Sequence, residues 1–442
     1  MENNQALIAQ CESKAKQWLS PAFDKETRSA VNRMIANEDK TDLIESFYKD
    51  LEFGTGGLRG IMGAGSNRMN IYTVGMATQG FANYLKINFK DKKQISVVVC
   101  HDCRNNSRLF AETVANIFSA NGIKVYLFED LRPTPEVSFA IRHLGCQSGV
   151  NLTASHNPKE YNGYKAYWED GAQVLAPHDK GIIDEVNKVR VEDVKFEGNP
   201  ALIQTIGAEI DEAYLKGVKE LSIDPEVIQR QKDLSIVYTP LHGAGRVLVP
   251  SALKSWGFEN VNTVTEQMVK DGNFPTVVSP NPENGEALTL ALNLAKKIDA
   301  DIVMASDPDA DRIGVAVRNT EGKIVLINGN EICALLGLSR RAGMVLVGSD
   351  SVQSQCGRGP LLLLTAEDCS ASVLEFADRL ASAGARAHTH IRAPLSVERL
   401  SLALGTGRVQ VIALPGRSGL ADRIKVLLGE GGHALEQQNT GL

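Results

Sequence analysis

The stretch Ser148-Gly149-Val150-Asn151-Leu152-Thr153-Ala154-Ser155-His156-Asn157-Pro158 predicts a short buried strand that runs into a tight loop. Pro158 ends the loop, because its ring fixes φ, lacks an N–H donor and keeps Asn157 out of the helical region. A small hydroxyl residue is thereby held at the carboxyl end of a strand, where ligands bind in open α/β sheets. We predict that Ser155 is a nucleophile or a phosphate carrier. The alternative is an ordinary turn, since Ser and Asn also bond their own backbone.

Composition and charge are those of an ordinary globular protein. The 442 residues suggest about three domains, and the content of 43% hydrophobic and 23% charged residues is typical. The net charge of −6 argues against a general nucleic-acid-binding surface. There is no signal-peptide pattern and no apolar run near the ~18 residues of a membrane span. Together with seven scattered cysteines, this predicts a reduced, cytoplasmic setting without membrane contact.

Alternating strands and helices predict two α/β units. In the first, strands at 95–100 and 125–128 flank a helix at 107–121, and the strand at 148–152 delivers Ser155. The second unit begins with a strand at 234–238 and closes with one at 300–305. Near-continuous apolar strands separated by helices are typical of sheets that are covered on both faces. We therefore predict an α/β fold with sheets between helices.

Two cationic side chains stand near loops or turns of the first unit. Arg59 projects from the glycine-rich stretch 53–60, and a guanidinium suits phosphate because its planar fork donates two parallel hydrogen bonds. Lys165 follows the turn signal Asn162-Gly163, and it can act as an acid or base beside Ser155 if partial burial lowers its pKa. The alternatives are a solvated Arg and an exposed strand Lys.

A glycine-rich loop also ends the first strand of the second unit. The stretch Thr239-Pro240-Leu241-His242-Gly243-Ala244-Gly245 opens a helix whose backbone N–H groups can receive an anion. One interpretation of His242 is that it orients a substrate there. The alternative, a turn histidine bonded to the backbone, is at least as good.

Three aspartates at alternate positions follow the last strand of the second unit. Asp307, Asp309 and Asp311 would repel one another unless a cation binds them, and their hard oxygens select Mg²⁺ or Ca²⁺. The spacing is that of an EF-hand start, but the required Gly and terminal Glu are missing and strands flank the loop. We predict a metal site here.

The stretch Cys100-His101-Asp102-Cys103 has the spacing of a redox or metal motif. We expect it to carry incidental thiols, since no second Cys/His pair completes a zinc site.

Taken together, these segments resemble the α-D-phosphohexomutase family in its phosphoglucomutase/phosphomannomutase branch. The resemblance covers roughly residues 1–335 and implies a mutase that moves phosphate between the 1- and 6-positions of a hexose phosphate. It implies Mg²⁺ as the metal and glucose 1,6-bisphosphate as activator or intermediate. The roles implied are phosphoserine and metal ligand for Ser155, metal ligand for Asp307, Asp309 and Asp311, catalysis for Arg59, Lys165 and His156, and substrate binding for Arg312 and His242.

The family pattern stops early in a third domain. Full-length members carry a sugar-selecting Gly-Glu-x-Ser-Gly loop and an Arg-x-Ser-Gly-Thr phosphate loop, and the chain has neither; Arg417-Ser418-Gly419 is a fragment of the second. After Leu335 the only Lys is Lys425 and the only aromatic residue is Phe376. We predict domains at 1–205 and 206–325, a remnant at 326–335, and a segment of different origin at 336–442.

The last segment resembles a bacterial L7Ae-like RNA-binding domain, from Leu338 through Asp368. Its pattern predicts a small α/β/α sandwich, with strands at 361–365, 386–391 and 409–414. The resemblance implies structured RNA as a partner, with Arg340, Arg341 and Arg358 on its phosphates. The family's Asn-Glu pair is replaced by Asp350-Ser351, and arginines that only solvate a small domain are the alternative.

Three functions follow as hypotheses. The first is a phosphohexose mutase, impaired by its missing loops. The second is an RNA-binding protein that acts through residues 336–442. The third is a chain that joins two unrelated coding segments without an integrated function.

Overall fold

The fold is described from a computed structural model. It describes residues 2–54, 56–223, 225–318, 324–327, 336, 340, 344–357, 359–382, 388–393, 395–404, 406–416, 421 and 424–425. The chain divides into two compact units, Met1–Leu326 and Ile327–Leu442. Each unit is described by itself below.

The strands in the described residues are two to eight residues long. They are β1 (Gly57–Ile61), β2 (Ser96–His101), β3 (Lys124–Phe128), β4 (Ser148–Leu152), β5 (Tyr161–Trp168), β6 (Ile203–Ile206), β7 (Ile236–Thr239), β8 (Val261–Thr263), β9 (Ile302–Ser306), β10 (Ile313–Arg318), β11 (Ile324–Ile327), β12 (Leu346–Val347), β13 (Leu361–Thr365), β14 (Thr389–Arg392) and β15 (Val411–Pro415).

Helices separate most of these strands. They are α1 (Glu2–Gln17), α2 (Lys25–Ala36), α3 (Thr41–Phe47), α4 (Ile71–Asn88), α5 (Ser107–Ala120), α6 (Thr134–His143), α7 (His178–Val186), α8 (Ala208–Glu220), α9 (Pro225–Arg230), α10 (Gly245–Trp256), α11 (Thr289–Ile298), α12 (Ser349–Gln355), α13 (Ala371–Ser382) and α14 (Val397–Leu404).

The first sheet has six strands in the order β1-β5-β4-β2-β3-β6. The pairs of β5 with β1 and β4 are antiparallel, and the remaining pairs are parallel, so the sheet is mixed. β6 lies in a segment, 178–233, that the sequence predicts only as polar and mainly helical. β4 is buried along its whole length between β2 and β5, which places the loop after it at the carboxyl edge of the parallel strands.

Helices cover both faces of the first sheet. Phe81, Phe110 and Phe118 from α4 and α5 pack on Val97 and Val99 of β2. On the other face, residues of α6 pack on the alternate strand positions, because successive side chains of a strand point to opposite faces. The prediction of an α/β layer is confirmed here.

The N-terminal segment forms its own aromatic cluster. The sequence predicts residues 7–50 as helical, and the structure divides this region into α1, α2 and α3. Trp18 stacks on Phe23 with ring centroids 4.5 Å apart, and Trp18 also meets Phe47 edge-on at 5.8 Å. Aromatic packing thus anchors these helices.

The second sheet has five strands in the order β11-β10-β9-β7-β8. β9 pairs in parallel with β7 and antiparallel with β10. A tight connection at 307–312 joins β9 to β10, so the acidic loop sits at the tip of a hairpin whose two strands are in register from Ser306 and Ile313 onward. This geometry rigidly presents the loop at the carboxyl end of β9.

The C-terminal unit, Ile327–Leu442, contains a mixed four-stranded sheet in the order β12-β15-β13-β14. β13 is fully buried: Leu362 and Leu364 pack in one cluster with Leu400 of α14, and Leu361 and Leu363 pack in another with Val352 of α12. Three strands lie near their predicted positions, and β12 was not predicted. The resemblance to L7Ae stays a prediction.

Two further findings bear on the setting of the chain. Within the residues that the structure describes, no helix is both long enough and apolar enough to cross a membrane. The six cysteines in the described part are all free thiols.

Candidate active site

Ser155 sits on a strained turn. Its φ is +50°, in the left-handed region, where a residue with a side chain costs roughly 1–2 kcal/mol. Its N–H donates to Thr153 Oγ1 at 2.9 Å, and only 3% of Ser155 is exposed. The surrounding structure therefore holds a serine hydroxyl in a defined place, as a phosphate carrier requires.

The acidic loop brings three carboxylates together. Asp307, Asp309 and Asp311 each offer an oxygen, and these oxygens lie within 4.8 Å of one another. Asp307 and Asp309 are fully buried, and no donor from another described residue bonds Asp307 Oδ2 or Asp309 Oδ1. Buried polar atoms are normally satisfied, and hard carboxylate oxygens are the ligands that Mg²⁺ prefers. These residues fit a divalent cation, as the sequence predicts.

The charges of the acidic loop are unequal. Burial, followed by repulsion from Asp309 and Asp311, raises the pKa of Asp307 to about 9. Burial works in the same direction on Asp309, but Lys165 and the hydroxyl of Thr134 outweigh it and lower the pKa of Asp309. Without a cation, the loop therefore carries a proton on Asp307 and a negative charge on Asp309.

The acidic loop contacts the first sheet beside β4, the strand that leads into the Ser155 loop. Lys165 Nζ donates to Asp309 Oδ2 at 2.7 Å and to Asp311 Oδ2 at 2.8 Å, and Lys165 lies opposite Asn151 of β4. Thr134, at the start of α6, donates its N–H to the carbonyl of Asp309 and its hydroxyl to Asp309 Oδ2. Asn151 Nδ2 of β4 also donates to Thr134 Oγ1 at 2.8 Å, so the acidic loop is bonded to the sheet whose strand β4 leads into the Ser155 loop.

The condition set for acid or base action by Lys165, a pKa lowered by partial burial, is not met. Burial does act in that direction, but Asp309 and Asp311 outweigh it and raise the pKa above its ordinary value. Lys165 is therefore an ammonium ion held by two carboxylates. It is suited to neutralising the charge of these carboxylates.

The remaining predicted site residues surround Ser155. Arg59 Nη1 donates to Asn157 Oδ1 at 3.3 Å, and Arg59 pairs with Gly163 of β5. His156 Nδ1 has no hydrogen-bond partner in the part of the chain that the structure describes. Burial, followed by the charges of Arg312 and Arg59, lowers the pKa of His156 to about 4. His156 is thus a neutral imidazole at pH 7. The backbone N–H of Arg312 donates to Asp307 Oδ1 at 3.1 Å.

His242 is engaged within the second sheet's own loops. Its Nδ1 lies 2.8 Å from the carbonyl of Val269, its Nε2 lies 2.8 Å from Thr276 Oγ1, and only 1% of the residue is exposed. With both ring nitrogens occupied, this geometry favours the turn histidine over the substrate-binding histidine.

Two residues of the network were not predicted as functional. They are Thr134, at the start of α6, and Arg104, which follows the stretch Cys100–Cys103. Arg104 contacts the Ser155 loop from below through its guanidinium group. A signal was available in their position, since both follow parallel strands at the edge where Ser155 lies.

The arginines predicted to contact RNA belong to the C-terminal unit. Arg340 is exposed. Arg341 and Arg358 lie outside the described residues.

Comparison with known proteins identifies the front part of the chain. Residues 50–192 match the family model described as phosphoglucomutase/phosphomannomutase, alpha/beta/alpha domain I, and residues 212–322 match that of domain II. The chain is similar to the phosphopentomutase of Homo sapiens, with 41% identity over 342 residues, which are 74% of this chain and 56% of that protein. It is also similar to a phosphoglucomutase of Staphylococcus epidermidis, with 39% identity over 315 residues, 70% of this chain and 56% of that protein.

A solved structure supports the same relationship. A candidate phosphomannomutase from Thermus thermophilus superposes with a TM-score of 0.55 and 25% identity, covering 78% of this chain and 69% of that one. The chain spans just over half the length of the two curated relatives. The two matched family domains together occupy more than half of the chain. Across residues 50–322, therefore, the chain belongs to the phosphoglucomutase/phosphomannomutase family, of which it carries domains I and II.

Proposed function

We propose that the chain transfers phosphate between Ser155 and a phosphosugar, as the phosphoserine-bearing part of a mutase. The observation that carries the proposal is that Lys165 and Thr134 bond the buried acidic loop to the sheet whose strand β4 leads into the Ser155 loop. The relatives named above are a phosphopentomutase and a phosphoglucomutase. A phosphoryl group needs positioning and charge neutralisation more than covalent help, and this network supplies both.

The acidic loop would hold the metal. Asp307, Asp309 and Asp311 would bind Mg²⁺, with the Ser155 phosphate as a further ligand, and the ion would neutralise phosphate charge. The buried oxygens Asp307 Oδ2 and Asp309 Oδ1 support this assignment, because among the described residues no donor outside the acidic loop bonds them.

The side chains around Ser155 would handle the protons. The bond between phosphorus and Ser155 Oγ breaks as a new bond forms between phosphorus and a sugar hydroxyl. Lys165 would give a proton to the departing Ser155 oxygen, and His156 would accept the proton of the attacking hydroxyl. Arg59 would hold the phosphate. The second transfer reverses these steps with the other phosphate of the sugar.

We propose that the chain performs the first transfer better than a full mutase cycle. The sugar-selecting and distal phosphate loops of the family are missing from the sequence, so a bisphosphorylated sugar would be poorly held while it turns round. Phosphorylation of Ser155 needs only one bound phosphate and the acidic loop.

Intact mass spectrometry tests this proposal. Incubation with glucose 1,6-bisphosphate and Mg²⁺ should add one phosphate to the protein, and Ser155→Ala should abolish the addition. Ser155→Gly is the matched variant, because glycine adopts φ of +50° without strain and so separates loss of the hydroxyl from distortion of the loop. Folded wild-type protein that stays unmodified would overturn the proposal.

The same assay distinguishes two sugar classes. We propose a hexose phosphate as substrate, and the phosphopentomutase relative makes a pentose phosphate the competing candidate. Rates of Ser155 phosphorylation by glucose 1,6-bisphosphate and by ribose 1,5-bisphosphate are compared at equal concentration. Faster reaction with the ribose compound would reject the hexose assignment and keep the phosphosugar mutase proposal.

A further inference from the structure

The Ser155 loop makes few hydrogen bonds of its own. Within it, the N–H of Ser155 donates to Thr153 Oγ1, and the N–H of Asn157 donates to the carbonyl of Ala154 at 3.1 Å. Ser155 nevertheless keeps a left-handed backbone conformation, which an L-residue with a side chain disfavours. Something outside the loop must fix it.

Arg104 supplies that support from beneath the loop. Its Nη1 donates to the carbonyls of Pro158 at 2.8 Å and Tyr161 at 3.1 Å. Its Nη2 donates to the carbonyls of Ser155 at 2.6 Å and Asn157. Four backbone carbonyls within seven residues are thus bound by one guanidinium, whose rigid planar fork fixes their spacing.

The guanidinium is itself held in place. Its Nε lies 3.4 Å from Asp102 Oδ2, and both side chains are completely buried. Asp102 Oδ1 in turn accepts hydrogen bonds from the N–H of Arg104 and the hydroxyl of Ser107, each at 2.8 Å. Arg104 is thus held from its Nε side by a buried ion pair while its two terminal nitrogens bind the loop.

A segment that follows the second sheet's strand β8 closes over this clamp. The ring of Phe274 lies 5.2 Å from Cζ of Arg104, a distance at which a cation and an aromatic face attract each other. Gly272 allows the approach, because an added Cβ would lie 2.4 Å from the backbone nitrogen of Asn105. Asn105 Nδ2 also donates to Asn273 Oδ1 at 3.0 Å.

We propose that Arg104 is the positioning residue of the phosphoserine loop, and that Phe274 of the family's domain II holds Arg104 in its clamping orientation. The expected effect on the rate of Ser155 phosphorylation rests on the proposed function. Arg104 does not reach the sugar: its four terminal N–H groups are used on backbone carbonyls. It acts by fixing where Ser155 Oγ stands relative to the acidic loop.

Arg104→Lys tests the clamp, because it keeps the charge opposite Asp102 and loses the fork. A misplaced reacting group costs about 100-fold in rate, so we expect Ser155 phosphorylation by glucose 1,6-bisphosphate to slow about 100-fold at saturation. The concentration for half-maximal rate should change little. Hydrogen exchange of the amides in residues 153–161 should speed up roughly tenfold or more.

Arg108→Lys is the matched control. Arg108 lies on α5 and also donates to backbone carbonyls, those of Phe128 and Glu129, but it makes none of the contacts to the Ser155 loop. In this variant we expect hydrogen exchange of the amides in residues 153–161 and the rate of Ser155 phosphorylation to stay at the wild-type level. An Arg104→Lys protein whose loop exchange and maximal rate equal those of Arg108→Lys would overturn the proposal.

Phe274→Leu keeps the proposal testable if Arg104→Lys does not fold. It removes the aromatic face while leaving the clamp's hydrogen bonds, and we expect a lower maximal rate at unchanged half-saturation. Wild-type rate and wild-type loop exchange in this variant would reject the role of domain II. Wild-type protein that takes up no phosphate would reject the proposed function instead, and the exchange measurement would still decide whether Arg104 holds the loop.

Discussion

Replacing Lys165 by Met isolates the charge at the centre of the site. Methionine keeps the apolar stem of the side chain but removes the ammonium that lies 2.7 Å from Asp309 and 2.8 Å from Asp311. Asp309 is fully buried, so its carboxylate would lose its main compensating charge. Removing one partner of a buried ion pair destabilises a protein by about 3–5 kcal/mol.

Two features of the site put the expected effect near the lower end of that range. Thr134 still donates a hydrogen bond to Asp309 Oδ2, and Asp311 is partly exposed, so water screens it. We therefore expect Lys165→Met to lower the free energy of unfolding by about 3 kcal/mol when EDTA is present. In excess Mg²⁺ the loss should shrink, because an ion bound by the same carboxylates replaces the missing charge and stabilises only the folded state.

Urea unfolding, followed by tryptophan fluorescence, measures the free energy of unfolding of the unit Met1–Leu326, which contains Lys165. The three tryptophans, Trp18, Trp168 and Trp256, all lie within residues 1–326. Lys232→Met is the control, since its ammonium pairs with Glu259 on the surface and should hardly matter. The reasoning is refuted if Lys165→Met unfolds at the wild-type midpoint in EDTA, or if Mg²⁺ leaves its deficit unchanged.

Three further predictions concern protons and packing. Because the pKa of Asp307 is raised to about 9, Mg²⁺ binding at pH 7 should release about one proton, and the binding should tighten as the pH rises towards 9. Calorimetry in buffers of different ionisation enthalpy measures the released proton. Equal heats of binding in these buffers would contradict the prediction. Burial, then Asp211, raises the pKa of Glu136 to about 9 from its ordinary 4.5, so folding retains a proton that the unfolded chain releases. Stability should therefore fall as pH rises from about 5 to 9, by on the order of a few kcal/mol, and Glu136→Gln should flatten the urea midpoint across that window. Gly243→Ala would place a Cβ 2.4 Å from Cα of Pro308 and shift the acidic loop, so we expect calorimetry to show about tenfold weaker Mg²⁺ binding. Gly285→Ala is the control, because its added Cβ meets open space and Mg²⁺ binding should stay at the wild-type level.

Local patterns in the sequence predicted the parts of the site that lie on single loops. A buried strand followed by turn residues and Pro158 placed Ser155 at a strand end, because each of these signals acts within a few residues. Alternate aspartates after a strand likewise predicted a cation site, and the oxygens of Asp307, Asp309 and Asp311 do lie together. Both inferences needed only the local geometry of a strand and its following turn.

The tertiary structure alone decided which residues support those loops. Arg104 lies 51 residues before the serine whose carbonyl it binds, and Thr134 lies 175 residues before Asp309. No periodicity connects such positions. The sign of the pKa shift of Lys165 also depended on Asp309 and Asp311, which are 144 and 146 residues away. Electrostatic interaction depends on distance in space, and the packing of the two sheets sets that distance.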